Sequence, residues 1–274
     1  MEPGDPGRAA GSGRLGYDPI DAAALSDARA QILERIGVAA RRVGRDPADV
    51  RLVAVSKTVA PGRLRAAVAA GLDVLGENRV QEALGKVDEV AGVTWHLIGP
   101  LQANKARRAV AAFAMIETVD SATLAARIDR IAGEIRPGRP MPVLLQVNVD
   151  ADPAKAGFSP DELRTALPAI LDLPGLDVRG LMTVGRLVAG AEAARPSFVA
   201  LRRLSEALRG DQPRLGPHLS MGMSDDFPVA IEEGATLVRV GRALFGERPD
   251  HDYDHADRDQ SPPAGGAAAE DRLG

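Results

Sequence analysis

The chain has 274 residues and a net charge of −4, and this size and balance are typical of one large α/β domain or two small ones. The absence of cysteine excludes disulfides, thiolate metal sites and cysteine nucleophiles. A general basic field is also excluded, and no apolar run approaches the ~20 residues of a membrane span, so we expect neither nucleic-acid nor membrane partners.

The first predicted segments are a tail and a helix. Residues 1–18 are rich in Gly, Pro and Arg and lack the apolar core of a signal peptide, so we expect a disordered tail in a cytoplasmic protein. A helix over about residues 20–43 follows, because Leu25, Ile32 and Ile36 recur at helical spacing.

Eight short apolar runs come next, each followed by a helical segment. They cover residues 51–56, 73–76, 94–98, 114–119, 142–148, 177–183, 217–221 and 236–240. Continuous apolar strands are typical of a parallel sheet covered on both faces. Eight β-then-α units predict an α/β fold, a single-domain (β/α)8 TIM barrel over residues 19–248. The alternative is an open doubly wound sheet, but SKTVAPG, with no GxGxxG, follows the first strand.

Residues 249–274 form a second predicted disordered tail. His251 and His255 lie among aspartates there. A solvated acidic tail is favoured over a metal site, because nothing in such a segment could build a rigid cage.

Polar residues gather at the carboxyl ends of the predicted strands, which meet at one rim of a barrel. After strands seven and eight, Gly222 and Gly241 allow backbone N–H groups to approach a ligand closely. Ser224 is predicted to cap the helix that follows strand seven, with Asp225 and Asp226 in its first turn. Each feature alone could be ordinary capping, but their pairing on consecutive strands favours a phosphate site.

Lys57 ends the first strand. In a barrel mouth its amine would be partly desolvated, its pKa would fall, and the neutral amine could attack an aldehyde to form a Schiff base. A lysine with a phosphate site across the barrel is what pyridoxal 5′-phosphate (PLP) requires. The alternative is a surface cation whose stem packs on apolar neighbours.

Seven motifs in order then resemble the pyridoxal phosphate homeostasis protein family between residues 50 and 247. They are VAVSKT, GENRVQEALGK, WHLIGPLQANKAR, ETVDS, QVNVDADPAKAGF, RGLMTVG and SMGMSDDFPVAIEEGATLVRVGRALFG. The resemblance implies a single barrel like the N-terminal domain of alanine racemase (PLP fold type III), PLP on a lysine, a part in vitamin B6 balance and no robust enzyme activity.

The resemblance also implies the site. Lys57 would carry the Schiff base, and the other cofactor contacts would be Asn78, Met223, Ser224, Arg239 and Gly241. Arg79, where an aromatic residue is frequent, and a missing proline after GLMTVGR are the departures.

Several residues carry two interpretations. Arg239 would either face the pyridine nitrogen and keep it unprotonated, or pair with Glu232 or Glu233. His96 could be a base, although a hydrogen-bonded core residue is favoured. Asn78 could orient the phenolic oxygen of PLP or be a turn residue in the left-handed conformation. The polar residues that open the third helix could steer an anionic ligand, although a solvated face is favoured; they are Asn104, Lys105, Arg107 and Arg108. The loop carrying Lys155 could fold over the cofactor or only connect strand and helix, and it stays undecided.

Racemases of this type need a second acid–base group, a tyrosine from a C-terminal β-domain. Here Tyr17 and Tyr253 lie in the predicted tails. We therefore predict a monomer that stores PLP or delivers it to PLP-dependent apo-enzymes. The alternatives are a low-activity PLP-dependent amino-acid racemase or lyase, and a barrel that binds another phosphorylated metabolite.

Overall fold

Each of the eight apolar runs forms a parallel strand in the computed structural model, which describes residues 16–185 and 190–246. The strands are β1 Arg51–Val55, β2 Val74–Glu77, β3 Thr94–Leu97, β4 Met115–Val119, β5 Met141–Gln146, β6 Leu176–Met182, β7 His218–Ser220 and β8 Leu237–Val240. They close into a barrel in chain order. The predicted (β/α)8 barrel is confirmed, and the open-sheet alternative is wrong because β1 pairs directly with β8.

Helices follow the strands and cover the outside of the barrel. Among the described residues they are α1 Pro19–Arg42, α2 Pro61–Ala69, α3 Val80–Val87, α4 Ala106–Ala112, α5 Ala122–Ile135, α6 Pro160–Leu171, α7 Arg195–Asp211, α8 Phe227–Glu232 and α9 Arg242–Phe245. Short 3-10 turns lie at Pro47–Asp49, Ala103–Lys105 and Ala191–Ala194.

The first helix confirms the prediction from periodicity. Asp18 accepts a hydrogen bond from the Ile20 N–H at 2.9 Å, and Pro19 occupies the first helical position, where a missing N–H costs nothing. The buried stripe that contains Leu25 and Ile32 packs this helix against α2, α8 and α9. It therefore braces the part of the wall where the barrel closes.

The side chains inside the barrel show which positions of each strand face inward. A small cluster inside it contains Val53, Val74, Ile98 and Leu237, with Val55 and Met115 packed against it. A Cβ on Gly76 would lie 2.9 Å from side-chain atoms of both Ile98 and Val53, so any larger residue would have to displace them. Because side chains alternate along a strand, Val53 and Val55 define the inward face of β1, and Val74 and Gly76 that of β2.

The predicted tails lie almost entirely outside the described residues, and so do His251, His255 and Tyr253. No helix within residues 16–185 and 190–246 is both long enough and apolar enough to cross a membrane.

Candidate functional site

Side chains that face the barrel interior occur at every second position of a strand. One such step past the end of each strand leads to residues of the predicted site. Lys57 follows Val55 on β1, Asn78 follows Gly76 on β2, and Gly241 follows Arg239 on β8. Lys57, Asn78 and Gly241 are all half-buried at the carboxyl end of the barrel. Three of the six predicted cofactor residues therefore lie at this rim, each two positions after an inward-facing residue, and a fourth, Arg239, lies on the inward face of β8.

The turn after Lys57 is strained. Thr58 has φ 65°, in the left-handed region that a β-branched residue rarely adopts, and its hydroxyl donates to the Lys57 carbonyl at 2.6 Å. Strained backbone of this kind persists only where neighbouring groups hold it, and it is common at functional sites.

The loop after β7 brings Ser224 to β8. The Gly241 N–H points at the Ser224 hydroxyl oxygen, at 3.4 Å. Gly222 has φ 91°, and a Cβ there would lie 2.6 Å from the Ala230 Cβ, so the loop needs glycine to pass this close to α8. Ser224 and Gly241, predicted together as a phosphate site, are indeed neighbours.

One detail of this loop was predicted wrongly. Asp226, and not Ser224, is the N-terminal cap position of α8, which starts at Phe227. The Asp226 carboxylate accepts the Met223 N–H at 2.6 Å and so fixes the loop from within. Because that N–H is taken, any ligand contact of the half-buried Met223 would use its side chain.

Beside Ser224 lies a depression of about 560 Å³. Its lining residues are Arg35, Gly190, Ala191, Ser224, Asp225, Arg242 and Ala243. The first N–H groups of α9 follow Gly241 directly, and such groups have no acceptor within their own helix. Hydroxyl, backbone N–H and arginine donors suit a phosphoryl group, and Arg242 is paired with Asp225.

The position of this candidate phosphate site corrects one expectation. It lies beside Lys57 and not across the barrel, because β8 is the direct neighbour of β1. A Cβ on Gly241 would lie 3.2 Å from the Val55 Cβ, two residues before Lys57.

Arg239 is buried inside the barrel. Its Nη1 donates to the Ser220 hydroxyl at 2.6 Å, and its Nη2 donates to the Thr183 carbonyl at 2.9 Å. Burial lowers the pKa of Arg239, and the negative charges of Glu117 and Asp226 oppose that shift. Its alternative as an ion-pair partner of Glu232 or Glu233 is wrong.

Those two glutamates pair elsewhere, on the outer surface. Arg195 binds Glu232 at 2.7 Å and Glu233 at 2.6 Å, and Arg42 and Arg202 add further contacts to the pair.

Glu117 is the buried counter-charge that sequence reasoning missed. Its two oxygens accept hydrogen bonds from His96 Nδ1 at 2.7 Å and from the Ser220 hydroxyl at 2.6 Å. His96 is thereby confirmed as a hydrogen-bonded core residue. The network joins β3, β4, β7 and β8, and its only advance signal was an acid inside the apolar run 114–119.

The pKa of Glu117 gives a testable pH dependence. Burial alone would raise it, but the hydrogen bond from His96, the charges of His96 and Arg239 and the Ser220 hydroxyl together lower it. A lowered native pKa adds stability above the unfolded pKa of about 4.3, and this stability is lost as the pH falls through the native value. We therefore expect the free energy of unfolding to fall less on acidification in Glu117→Gln than in the unsubstituted protein.

Urea unfolding between about pH 7 and about pH 3 measures this difference. Other lowered carboxyl pKa values, such as that of the exposed Glu134, are common to both proteins and cancel in the comparison. Parallel pH profiles would contradict the expectation.

The structure also bears on the expectations for Asn78, for the third helix and for metal binding. Asn78 is not in the left-handed conformation, which among described non-glycine residues only Thr58 and Ala151 adopt. Arg107 is exposed and pairs with Glu134 at 2.5 Å, as expected for a solvated helix face. No cluster of three or more potential metal ligands occurs in the described part of the chain.

The undecided loop over residues 152–158 folds onto the rim. The Asn148 amide donates to the carbonyls of Asp152 and Lys155, and Lys155 Nζ binds Asp150 at 2.9 Å and the Val184 carbonyl at 3.1 Å. This loop therefore joins the ends of β5 and β6 at the same face as Lys57.

Comparison with known proteins agrees with this geometry. The model of the alanine racemase N-terminal domain family matches residues 28–249. The pyridoxal phosphate homeostasis protein of Aquifex aeolicus is 42% identical, over 80% of this chain and 96% of its own length. That of Pseudomonas aeruginosa is 45% identical, over 80% of this chain and 94% of its own length.

Solved structures give the same grouping. PipY of Synechococcus elongatus with PLP bound is 44% identical, with a TM-score of 0.68, over 78% of this chain and all of its own. Alanine racemase of Clostridium difficile shares the fold alone, at 18% identity and a TM-score of 0.60, over 80% of this chain and 57% of its own. The chain therefore belongs to the alanine racemase N-terminal domain family and, within it, to the pyridoxal phosphate homeostasis proteins.

Proposed function

We propose that this protein binds PLP through Lys57 and keeps it available as part of intracellular vitamin B6 homeostasis, without robust catalysis. When bound, PLP supplies an aldehyde that condenses with an amine, forming a C=N bond and releasing water. Relatives at 42% and 45% identity are named pyridoxal phosphate homeostasis proteins, and PipY holds PLP, which supports the same cofactor here.

The order of residues around the rim carries the proposal. In PLP the ring carbon with the aldehyde lies between the carbon with the phosphate arm and the carbon with the hydroxyl. Around the barrel, Lys57 after β1 lies between Gly241 after β8 and Asn78 after β2. A candidate phosphate site, an amine and an amide thus follow one another in the order that the three substituents require.

Arg239 accounts for weak catalysis. A guanidinium held near the ring nitrogen disfavours a second positive charge on that nitrogen. An unprotonated ring is a weaker electron sink, so carbanion chemistry is damped. The two hydrogen bonds that fix Arg239, to Ser220 and to Thr183, keep this charge in one place.

Storage is favoured over the racemase or lyase alternative. That alternative needs a second acid–base group at the cofactor, and the sequence offered His96 or a rim residue for this role. His96 is only 5% exposed, and its Nδ1 is bonded to Glu117. We further propose a cytoplasmic monomer, one barrel domain over residues 19–248 between two tails, and PLP-dependent apo-enzymes as recipients.

The full chain incubated with PLP and then treated with borohydride tests the function. Reduction converts the C=N bond to a stable secondary amine, and digestion with mass spectrometry locates it. We expect the adduct on Lys57 and not on the chain's other lysines, Lys86, Lys105 and Lys155. An absent adduct, or one spread evenly over the lysines, would favour the alternative of another phosphorylated ligand.

A further inference from the structure

A buried charged pair lies behind the barrel wall, next to Lys57. Lys86 of α3 reaches Glu77 at the end of β2, with 2.8 Å between Nζ and Oε1. Glu77 has no exposed surface and Lys86 is 8% exposed. Both side chains lie on the outer side of the wall, since Val74 and Gly76 define the inward face of β2, so neither can reach a ligand in the barrel mouth.

This pair is bonded to the backbone that leads into Lys57. Lys86 Nζ donates to the Ser56 carbonyl at 3.0 Å, and the Ser56 hydroxyl donates to Glu77 Oε1 at 2.7 Å. The Ser56 carbonyl belongs to the peptide group that joins Ser56 to Lys57. Lys86 therefore sets the orientation of the peptide plane directly before the proposed PLP-binding residue.

A second side chain of α3 holds the other side of Lys57. Glu82 Oε2 accepts the Thr58 N–H at 3.4 Å and lies 4.0 Å from Lys86 Nζ. Thr58 is the residue with the strained left-handed conformation. We call the network formed by Ser56, Glu77, Glu82 and Lys86 the Lys86 clamp.

Stability alone does not explain a buried pair at this place. Burial raises the pKa of Glu77, and its Oε2 has no hydrogen-bond partner among the described residues. Replacing a buried ion pair with apolar side chains of similar size often leaves stability unchanged or improves it. A charge-assisted donor does, however, fix a carbonyl that an apolar side chain cannot hold.

We propose that Lys86 is a positioning residue for Lys57. Through the Ser56 carbonyl it holds the strained turn in the one conformation that directs the Lys57 amine into the barrel mouth. This inference rests on the proposed binding of PLP at Lys57. Glu77 supplies the counter-charge that keeps Lys86 in place.

The test compares Glu77→Leu/Lys86→Met, which removes both charges, with the unsubstituted chain. The double variant avoids leaving one charge buried alone, which could unfold the protein. We expect a normal unfolding midpoint and PLP affinity roughly tenfold weaker, because the amine is no longer pre-positioned. At saturating PLP, the visible circular dichroism of the bound cofactor should fall, since that signal needs a fixed orientation.

A second measurement needs no PLP. Amide exchange over residues 56–59 should be at least about tenfold faster in the double variant, because the Val59 N–H is bonded to the Ser56 carbonyl and the Thr58 N–H to Glu82, which lies beside Lys86. Arg130→Gln/Glu134→Gln, which removes an exposed pair on α5, is the matched control and should change none of these readouts.

Each outcome decides the proposal. Faster exchange together with weaker PLP binding supports it. A folded double variant with unchanged PLP affinity and dichroism overturns it, and so does weaker binding with unchanged exchange at residues 56–59. If the unsubstituted chain does not bind PLP, the proposed function has failed, a result that this comparison separates from failure of the clamp alone.

Discussion

Lys57→Ala is expected to abolish covalent retention of PLP. Without the amine no C=N bond can form, and only the phosphate and ring contacts remain. We expect the borohydride-stable adduct to disappear and PLP affinity to fall at least about a hundredfold, equivalent to about 2.7 kcal/mol. Because Lys57 is half-buried at the rim and not in the core, the unfolding midpoint should change little.

Lys105→Ala is the matched control for this experiment. Lys105 is also half-buried, but it lies in the 3-10 turn before α4 and outside the proposed contacts. Mass spectrometry of the reduced protein should still find the adduct on Lys57 in this variant. An adduct that survives in Lys57→Ala, or that disappears equally in Lys105→Ala, would refute Lys57 as the attachment point.

Among the proposed substitutions, Arg239→Met is expected to lower the free energy of unfolding the most. The substitution leaves the Glu117 carboxylate buried without its arginine and removes the donors to the Ser220 hydroxyl and the Thr183 carbonyl. Removing one partner of a buried charge network costs about 3–5 kcal/mol. Urea unfolding at neutral pH measures this loss directly.

Two further variants separate charge from packing. Arg239→Met/Glu117→Gln should recover part of the loss, because the uncompensated charge is gone; a double-mutant cycle gives the coupling energy. Arg179→Met, at an exposed arginine on β6 paired with Asp177, should cost less than about 1 kcal/mol. A loss of the same size at both arginines would show that burial of Arg239 has no special effect.

The fold was predictable because its signal is local. The strands of the barrel are short runs of mainly buried residues, so the eight strands and their order could be read from sequence, with ends displaced by at most two residues. The run 142–148, for example, was predicted to start one residue late and to end two residues late, since β5 spans Met141–Gln146. Val147 still makes an isolated bridge to Phe158, which explains its apolar character.

Details of the site were less predictable because they depend on contacts between distant segments. Ser224 looked like a helix cap, but whether it or Asp226 takes that position depends on the path of the loop. Glu117 meets Ser220 only because β4 and β7 face each other across the barrel interior. No spacing along the chain indicates that a glutamate in one apolar strand will offset an arginine four strands later.

The pairing of β1 with β8 has a consequence for biosynthesis. Lys57 is made early, but its neighbours Arg239 and Gly241 come from the last strand and the residue after it. A nascent chain on the ribosome can therefore expose the lysine long before the wall beside it exists. If PLP binds at Lys57 as proposed, the complete binding site forms only after β8 has been synthesised and paired with β1.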